Sequence, residues 1–332
     1  MSKKITLLSI LIAVSTIAFS QQVITGAQST QEYLPLLKGK KVAILTNQTG
    51  VIDNTHLLDS LVSLKVNVVA ILSPEHGFRG EADAGEHVAS SVDKKTGIPI
   101  MSLYDGNTGK PSASLMETID IMLFDLQDVG LRYYTYLTTM ARMMEACAEN
   151  NVKMVVLDRP NPLGFYVDGP ILDLKYKSAV GWLPIPTVHG MTLGELAGMI
   201  NGEKWLPGGI ECDLTVIKCK NYTHATLYEL PISPSPNLPN MRSIYLYPSI
   251  CYFEATPVSL GRGTDTPFQV YGHPNMKGYD FKFTPWSIPG ATFPPQLNRE
   301  CYGVDLSQEP TIEEINKAGI NLEYVIDAYH NL

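Results

Sequence analysis

Short apolar segments alternate with helical segments along the first half of the chain, and this alternation constrains the fold more than any other sequence feature. The predicted strands are residues 41–46, 67–72, 98–103, 119–124 and 153–157, and the predicted helices are 55–64 and 136–150. Continuous apolar strands separated by helices are typical of a parallel sheet covered by helices on both faces. We therefore expect the first half of the chain to form an α/β domain.

The regular alternation ends near residue 175. A helix is predicted at 193–201, because Thr192 and Glu195 have the spacing of a capping box, which also makes Glu195 a structural residue. Beyond it we predict a strand at 214–217 and a long loop at 231–248. This second part is expected to form a smaller α+β domain, with the boundary near residues 170–190.

Polar segments rich in glycine or proline follow the predicted strands, at 46–50, 73–80, 125–132 and 158–164. The carboxyl ends of parallel strands lie at one edge of a sheet, and open α/β sheets bind ligands there. Ordinary turns also favour Asn, Asp, Gly and Pro. Turn geometry does not require the other side chains concentrated here, which are Glu75, His76, Arg79, Gln127, Arg132 and Arg159. We therefore predict a ligand-binding cleft at this edge.

The first twenty residues have the pattern of a cleaved secretory signal. Lys3 and Lys4 precede an apolar run from Ile5 to Phe19, and small residues precede a cut after Ser20. The alternative is an uncleaved membrane anchor, but the run is short for a bilayer span of roughly 20 residues. We expect a periplasmic or secreted protein without stable membrane insertion after cleavage.

The net charge argues against one class of partner. The whole chain carries −8, and removal of Lys3 and Lys4 leaves the remainder near −10. Nucleic-acid binding depends on neutralising phosphates with basic residues, so no nucleic-acid partner is expected. An acidic sugar remains compatible with this charge, because a local arginine outweighs a distant, screened negative field.

Several common catalytic motifs are absent from the sequence. It contains no dinucleotide-binding or P-loop glycine pattern, no Gly-x-Ser-x-Gly turn and no His-Glu-x-x-His segment. We therefore expect no nucleotide cofactor and no serine hydrolase chemistry.

A metal site is a possibility that the sequence does not favour. The side chains that could bind a metal are His76, His87, His189, Glu75, Glu81 and Glu86. Adjacent residues on a strand or helix point apart, so the pairs 75–76 and 86–87 do not chelate simply. The five cysteines fit no zinc spacing, although Cys212 and Cys219 could pair in an oxidising compartment. No metal is expected.

Glu75 is the best-placed candidate for a general acid. It directly follows a predicted buried strand, and a partly buried strand end favours a carboxyl group that keeps its proton at neutral pH. The alternative is a carboxylate that caps the next helix. Glycoside cleavage needs two carboxyl groups, and Asp125, Asp128 and Asp158 lie in neighbouring loops.

Four arginines lie in glycine-containing loops: Arg79, Arg132, Arg159 and Arg262. Arginine suits two-pronged recognition of a carboxylate, so one of them is a candidate for binding an acidic substrate. The alternative is internal pairing with Asp83, Asp128, Asp158 or Asp265. Tyr133, Tyr134, Tyr136 and Phe253 are candidates either for stacking on a sugar ring or for the core.

Six segments of the sequence, taken in order, resemble the NamZ/YbbC family. They are 38–50, 73–80, 128–136, 158–164, 188–195 and 254–265, and the resemblance runs from about residue 33 to the end. Members are exo-acting β-N-acetylmuramidases of peptidoglycan turnover. The resemblance implies a Rossmann-like catalytic domain (21–180) after the signal (1–20), and an accessory α+β domain (181–332), with the site in the cleft between them.

The resemblance also implies an activity and a set of site residues. The activity is release of N-acetylmuramic acid from the non-reducing end of peptidoglycan fragments, without a cofactor. The expected catalytic residues are Glu75 and His76. The expected substrate-binding residues are Asn47, Arg79, Gln127, Asp128, Arg132, Tyr134, Arg159, Asn161, His189, Arg262 and Asp265. Family members continue beyond a segment like 320–332, so the accessory domain is expected to be shortened at its C-terminus.

Two other functions remain open at this point. One is a metal-assisted hydrolase of cell-wall peptides or esters. The other is a non-catalytic protein that binds a muropeptide or a peptidoglycan-derived disaccharide.

Overall fold

The computed structural model describes residues 22–75, 77–78, 90–103 and 109–332. The strands in these ranges are β1 (Val42–Thr46), β2 (Val51–Ile52), β3 (Thr55–His56), β4 (Val68–Ser73), β5 (Ser91–Val92), β6 (Pro99–Ser102), β7 (Ile121–Asp125), β8 (Lys153–Leu157), β9 (Leu214–Ile217), β10 (Val270–His273), β11 (Phe281–Phe283) and β12 (Cys301–Asp305). The helices are α1 (Thr30–Leu37), α2 (Leu57–Ser63), α3 (Ala113–Met116), α4 (Tyr136–Glu149), α5 (Leu193–Gly202), α6 (Met241–Ile250), α7 (Ile312–Ala318) and α8 (Glu323–Asn331).

The predicted parallel sheet is confirmed. Within the described ranges, its strands lie in the order β5-β6-β4-β1-β7-β8-β9, and only β5 runs antiparallel to its neighbour. Alternate residues of β1 point to opposite faces, as the period of a strand requires. Val42 and Ile44 enter one apolar cluster with α1 and α2, while Ala43 and Leu45 enter another with α4 and α5. The sheet is therefore covered on both faces.

The strand order reverses between β1 and β7. The chain moves from β1 to β4 and β6 on one side, and then returns to β7, β8 and β9 on the other. Ligands of open α/β sheets bind outside the carboxyl ends of the strands at such a reversal. The position of β9 beside β8 also extends this sheet beyond the predicted boundary near residues 170–190, and the boundary itself stays a prediction.

A smaller antiparallel sheet forms in the second half of the chain. Its order is β10-β12-β11, and α6 packs against α7 and α8 nearby. The predicted helix at 193–201 is confirmed as α5, with Thr192 and Glu195 forming both bonds of the capping box. The large parallel sheet and this separate small sheet together confirm the predicted α/β fold class.

The prediction of a loop over residues 231–248 is wrong in its second part. Helix α6 begins at Met241, after Asn240 and Ser243 form a capping box. Pro248 lies inside this helix, and an interior proline normally argues against a helix because it removes a backbone hydrogen bond. Tertiary burial outweighs that cost here, since Ile244, Leu246 and Ile250 are almost completely buried.

All five cysteines are free thiols. The alternative pairing of Cys212 with Cys219 is absent. Cys147 is fully buried. Across the described ranges, every helix is too short or too polar to cross a bilayer.

A buried ion pair joins the carboxyl ends of two neighbouring strands. Asp125 is the last residue of β7, and Arg159 follows β8. Arg159 donates from Nε to Asp125 Oδ1 at 2.6 Å and from Nη2 to Oδ2 at 2.9 Å, and also to the Val51 carbonyl oxygen at 3.1 Å. The exposed fraction is 4% for the arginine side chain and 0% for the aspartate.

We expect Arg159→Ala to lower the free energy of unfolding by about 3–5 kcal/mol, because it leaves the Asp125 carboxylate buried without its partner. Chemical denaturation of the purified variant measures this loss. Asp213→Asn is the matched control, because it weakens the exposed pair with Lys153 and exposed pairs contribute little. A loss no larger than that of the control would contradict the structural role of the pair.

Candidate active site

A cavity of about 490 Å³ opens beside the carboxyl edge of the large sheet. The first half of the chain contributes Glu75 and residues 133–135, and the second half contributes α6 and the segments around it. The lining residues are Glu75, Tyr133, Tyr134, Thr135, Val180, Ser235, Asn237, Leu238, Tyr247, Cys251, Tyr252, Glu254, Ala255, Arg262 and Phe268. Carboxylates, a guanidinium group and several aromatic rings therefore share one concave surface.

Glu75 reaches this cavity from the loop after β4. The Thr135 hydroxyl donates a hydrogen bond to Glu75 Oε2 at 2.5 Å. Thr135 directly precedes α4, so the carboxyl group is oriented by the first turn of a long buried helix. His76 and Arg79 lie outside the described residues, as do Glu81, Glu86 and His87 of the alternative metal site.

Arg262 and Tyr134 also line the cavity. Arg262 donates from Nη2 to Glu254 Oε1 at 2.6 Å, and its guanidinium carbon lies 5.0 Å from the centre of the Phe268 ring. Its side chain is 17% exposed. The Tyr134 hydroxyl donates a hydrogen bond to the Pro234 carbonyl oxygen at 2.9 Å. The ring of Tyr134, rather than its hydroxyl, is therefore available to a ligand in the cavity.

The three predicted amide residues lie in the scaffold beneath the cavity. Asn47 donates to the Tyr136 hydroxyl at 2.7 Å and accepts from the Thr49 hydroxyl at 2.6 Å. Gln127 donates to the carbonyl oxygens of Asp128 and Pro160, both at 2.8 Å. Asn161 donates to the Met191 carbonyl oxygen at 2.8 Å. These amides are buried and hold the rim loops together.

Arg132 and Arg159 are likewise occupied inside the protein. Arg132 Nη1 donates to the carbonyl oxygens of Pro170 and Ile185, at 2.7 and 2.6 Å. Arg159 is held by Asp125. Neither arginine lines the cavity, so the structure does not bring them to a substrate carboxylate. The alternative of internal pairing named Asp83, Asp128, Asp158 and Asp265 as possible partners, whereas the observed partner of Arg159 is Asp125.

Asp128 and His189 form a buried polar pair away from the cavity wall. His189 Nε2 lies 4.0 Å from Asp128 Oδ1, and the Gly130 backbone N–H donates to the same oxygen at 2.7 Å. Gly130 has φ +83°, a conformation that glycine adopts without strain. Asp265 is exposed and does not line the cavity.

Burial is the main cause of the pKa shifts of Asp128 and His189. It raises the pKa of Asp128 to about 7 and lowers the pKa of His189 to about 4. Both shifts favour the neutral side chain, as expected for groups removed from water.

Several cavity residues were not singled out from the sequence as candidates. Tyr247 and Tyr252 lie in or directly after α6, which the sequence assigned mostly to a loop. Glu254 and Phe268 lie farther along the same part of the chain. Glu254 does begin one of the family-like segments, and that position was the signal that could have identified it.

We expect Asp128→Asn to change the pH dependence of stability. The native carboxyl keeps a proton that the unfolded chain releases above its ordinary pKa of 3.8. Its stabilising contribution is therefore full below pH 3.8 and is lost as the pH rises to about 7. The wild-type minus variant difference in unfolding free energy should fall by up to about 1.4 kcal/mol per pH unit in that window.

Denaturant titrations of both proteins between pH 4 and pH 8 measure this difference, because groups common to the two proteins cancel. A difference that stays constant, or that rises with pH, would contradict a protonated Asp128.

Known proteins resemble this chain over most of its length. A peptidoglycan beta-N-acetylmuramidase NamZ of Bacillus subtilis (strain 168) is 43% identical over 295 residues, which cover 83% of this chain and 70% of that protein. Two crystal structures of DUF1343 family proteins from Bacteroides fragilis NCTC 9343 share the fold. One has 63% identity and a TM-score of 0.87, covering 94% of this chain and 84% of the other. The second has 31% identity and a TM-score of 0.78, covering 93% and 82%.

Family models match both parts of the chain. The N-terminal model of exo-beta-N-acetylmuramidase NamZ matches residues 42–242, and the C-terminal model matches residues 245–332. The resemblance read from the six sequence segments is thus confirmed. The chain belongs to the exo-beta-N-acetylmuramidase NamZ family.

Proposed function

We propose that this protein is an exo-acting glycosidase that releases N-acetylmuramic acid from the non-reducing end of peptidoglycan fragments, with Glu75 as the general acid. The observation that carries the proposal is the Glu75 carboxyl group on the wall of a cavity that also presents Arg262. Family membership supports a glycosidase over the metal-assisted hydrolase and the non-catalytic binding protein.

Glu75 has the geometry that a proton donor needs. Its carboxyl group is half-buried on the cavity wall, and Thr135 fixes one of its oxygens through a 2.5 Å hydrogen bond. A general acid must be held in one orientation toward the leaving oxygen. In the proposed reaction Glu75 gives its proton to the glycosidic oxygen as the bond to the anomeric carbon breaks.

Arg262 supports recognition of the acidic sugar. N-acetylmuramic acid carries a lactyl carboxylate, and guanidinium groups bind carboxylates through paired, charge-assisted hydrogen bonds. Arg262 donates from Nη2 to Glu254, and its guanidinium group carries further N–H donors. Its side chain is partly exposed. The rings of Tyr133, Tyr252 and Phe268 offer apolar faces for the sugar ring.

Export of the protein forms part of the proposal. Peptidoglycan fragments lie outside the cytoplasmic membrane, and residues 1–20 have the pattern of a cleaved signal. We expect the protein to be periplasmic or secreted, with Gln21 as its first residue. N-terminal sequencing of the protein recovered from the cell exterior tests this, and an intact Met1 there would contradict it.

The function is tested with two 4-nitrophenyl glycosides, the β-N-acetylmuramide and the β-N-acetylglucosaminide. We expect cleavage of the first and little cleavage of the second, because only the first offers Arg262 a carboxylate. Equal cleavage of both, or cleavage of neither, would contradict the proposed specificity.

We expect Glu75→Gln to lower kcat on the natural disaccharide about 10²–10⁴-fold, because the amide keeps the shape of the side chain but has no proton to give. The loss should be much smaller on the 4-nitrophenyl β-N-acetylmuramide, since nitrophenolate departs without protonation. Glu211→Gln is the control, because Glu211 is exposed and pairs with Lys204 on the surface. Near-normal turnover of the disaccharide by Glu75→Gln would refute its role as the acid.

A further inference from the structure

Two carboxylates from distant parts of the chain meet on the same cavity. Glu75 follows β4, and Glu254 lies in a short 3₁₀ helix, Cys251–Ala255, that continues α6. Among the described residues that line the cavity, no other side chain is acidic. Glycoside cleavage generally uses two carboxyl groups, one on each side of the scissile bond.

The other acidic candidates are occupied elsewhere. Asp125 is held by Arg159. Asp158 accepts hydrogen bonds from the Thr192 hydroxyl and the Gly194 backbone N–H, both at 2.8 Å, at the start of α5. None of these carboxylates, nor that of Asp128, lines the cavity. Their positions leave Glu254 as the described partner for Glu75.

Tyr247 lines the same cavity as both carboxylates. It extends from α6, and its ring packs edge-on against Phe268 and Tyr134, with ring centres 4.9 and 6.4 Å away. Burial raises the pKa of the Tyr247 phenol well above its ordinary value, and the charges of Glu254 and Glu75 raise it further. Each carboxylate is therefore close enough to the same phenol to perturb it.

Arg262 prepares Glu254 for this role. The 2.6 Å bond from Arg262 Nη2 to Glu254 Oε1 holds the carboxylate against the cavity wall. The bond fixes one oxygen of a carboxylate that lines the same cavity as Glu75. A carboxyl group that acts at the anomeric carbon must be held in one orientation.

We propose that Glu254 is the second carboxylate of the active site, acting at the anomeric carbon opposite the leaving group that Glu75 protonates. This inference rests on the proposed glycosidase function and names a group that it leaves unassigned.

The proposed bond cleavage balances for both separations of the two carboxyl groups that glycosidases use. With the carboxyl groups about 6.5–9.5 Å apart, water forms the new bond to the anomeric carbon and its proton passes to Glu254. With a separation of about 5–5.5 Å, a Glu254 oxygen forms that bond, and water later displaces it and gives its proton to Glu75. In both, the anomeric carbon–oxygen bond breaks and the leaving oxygen takes the Glu75 proton.

The test is chemical rescue of Glu254→Ala with sodium azide, using 4-nitrophenyl β-N-acetylmuramide as substrate. We expect kcat to fall about 10²–10⁴-fold without azide. Azide, an anion that needs no base, should restore nitrophenol release and form the α-glycosyl azide. The α product follows because one direct displacement inverts the β configuration, whichever geometry the enzyme uses.

Two further variants separate chemistry from positioning. Glu254→Gln keeps the side-chain shape and an oxygen for Arg262, and it should be as slow as Glu254→Ala if the charge is what matters. Arg262→Met breaks the ion pair from the other side and keeps the Glu254 carboxyl group itself, so azide should not accelerate it. It should raise KM, because the lactyl carboxylate loses its proposed partner.

Three results would overturn the inference. They are a kcat within about threefold of wild type in Glu254→Gln, a folded Glu254→Ala that yields no glycosyl azide, and a β-glycosyl azide product. A wild-type protein that releases no muramic acid would instead refute the proposed function. The two failures are therefore distinguishable.

Discussion

The ion pair between Asp125 and Arg159 is the interaction on which the rim of the sheet depends. Its carboxylate ends β7, beside Thr46 at the end of β1, where the strand order reverses. Both charges are buried, so each must keep its partner. Arg159 also reaches the Val51 carbonyl oxygen, so the pair joins the ends of β7 and β8 to the segment after β1. The pair thus fixes three neighbouring segments at the edge of the sheet beside which the cavity opens.

The polar residues at the carboxyl edge of the sheet therefore have two different roles. Asn47, Gln127 and Asn161 use their amides on buried partners, because unpaired polar groups inside a protein are costly. Glu75 instead lines a cavity to which α6 and the residues after it also contribute. The Glu75 carboxyl group is held by Thr135 at the start of α4, and a side chain proposed as a general acid needs such support. The buried amides support the loops around the proposed active site.

Sequence reasoning identified the strands of the parallel sheet and the capping box of α5 because these depend on local periodicity and local hydrogen bonds. It placed Glu75, Tyr134 and Arg262 among the site residues, and all three line the cavity. It also named the rim amides and Arg132, which lie in the scaffold. Turn-forming and ligand-binding residues are the same chemical types, so composition alone does not separate them. Helix α6 was missed in part because Pro248 opposes a helix locally.

The sequence by itself determined the fold class and the family, because apolar periodicity and six ordered segments are properties of the chain read along its length. Only the tertiary structure decided which charges are free to act. Arg159 and Arg262 look alike in sequence, each in a loop with nearby acids. One is locked beneath the rim by Asp125, while the other lines the cavity with Glu254. Burial and the identity of the partner set the behaviour of a charge, and both arise from contacts between residues far apart in the chain.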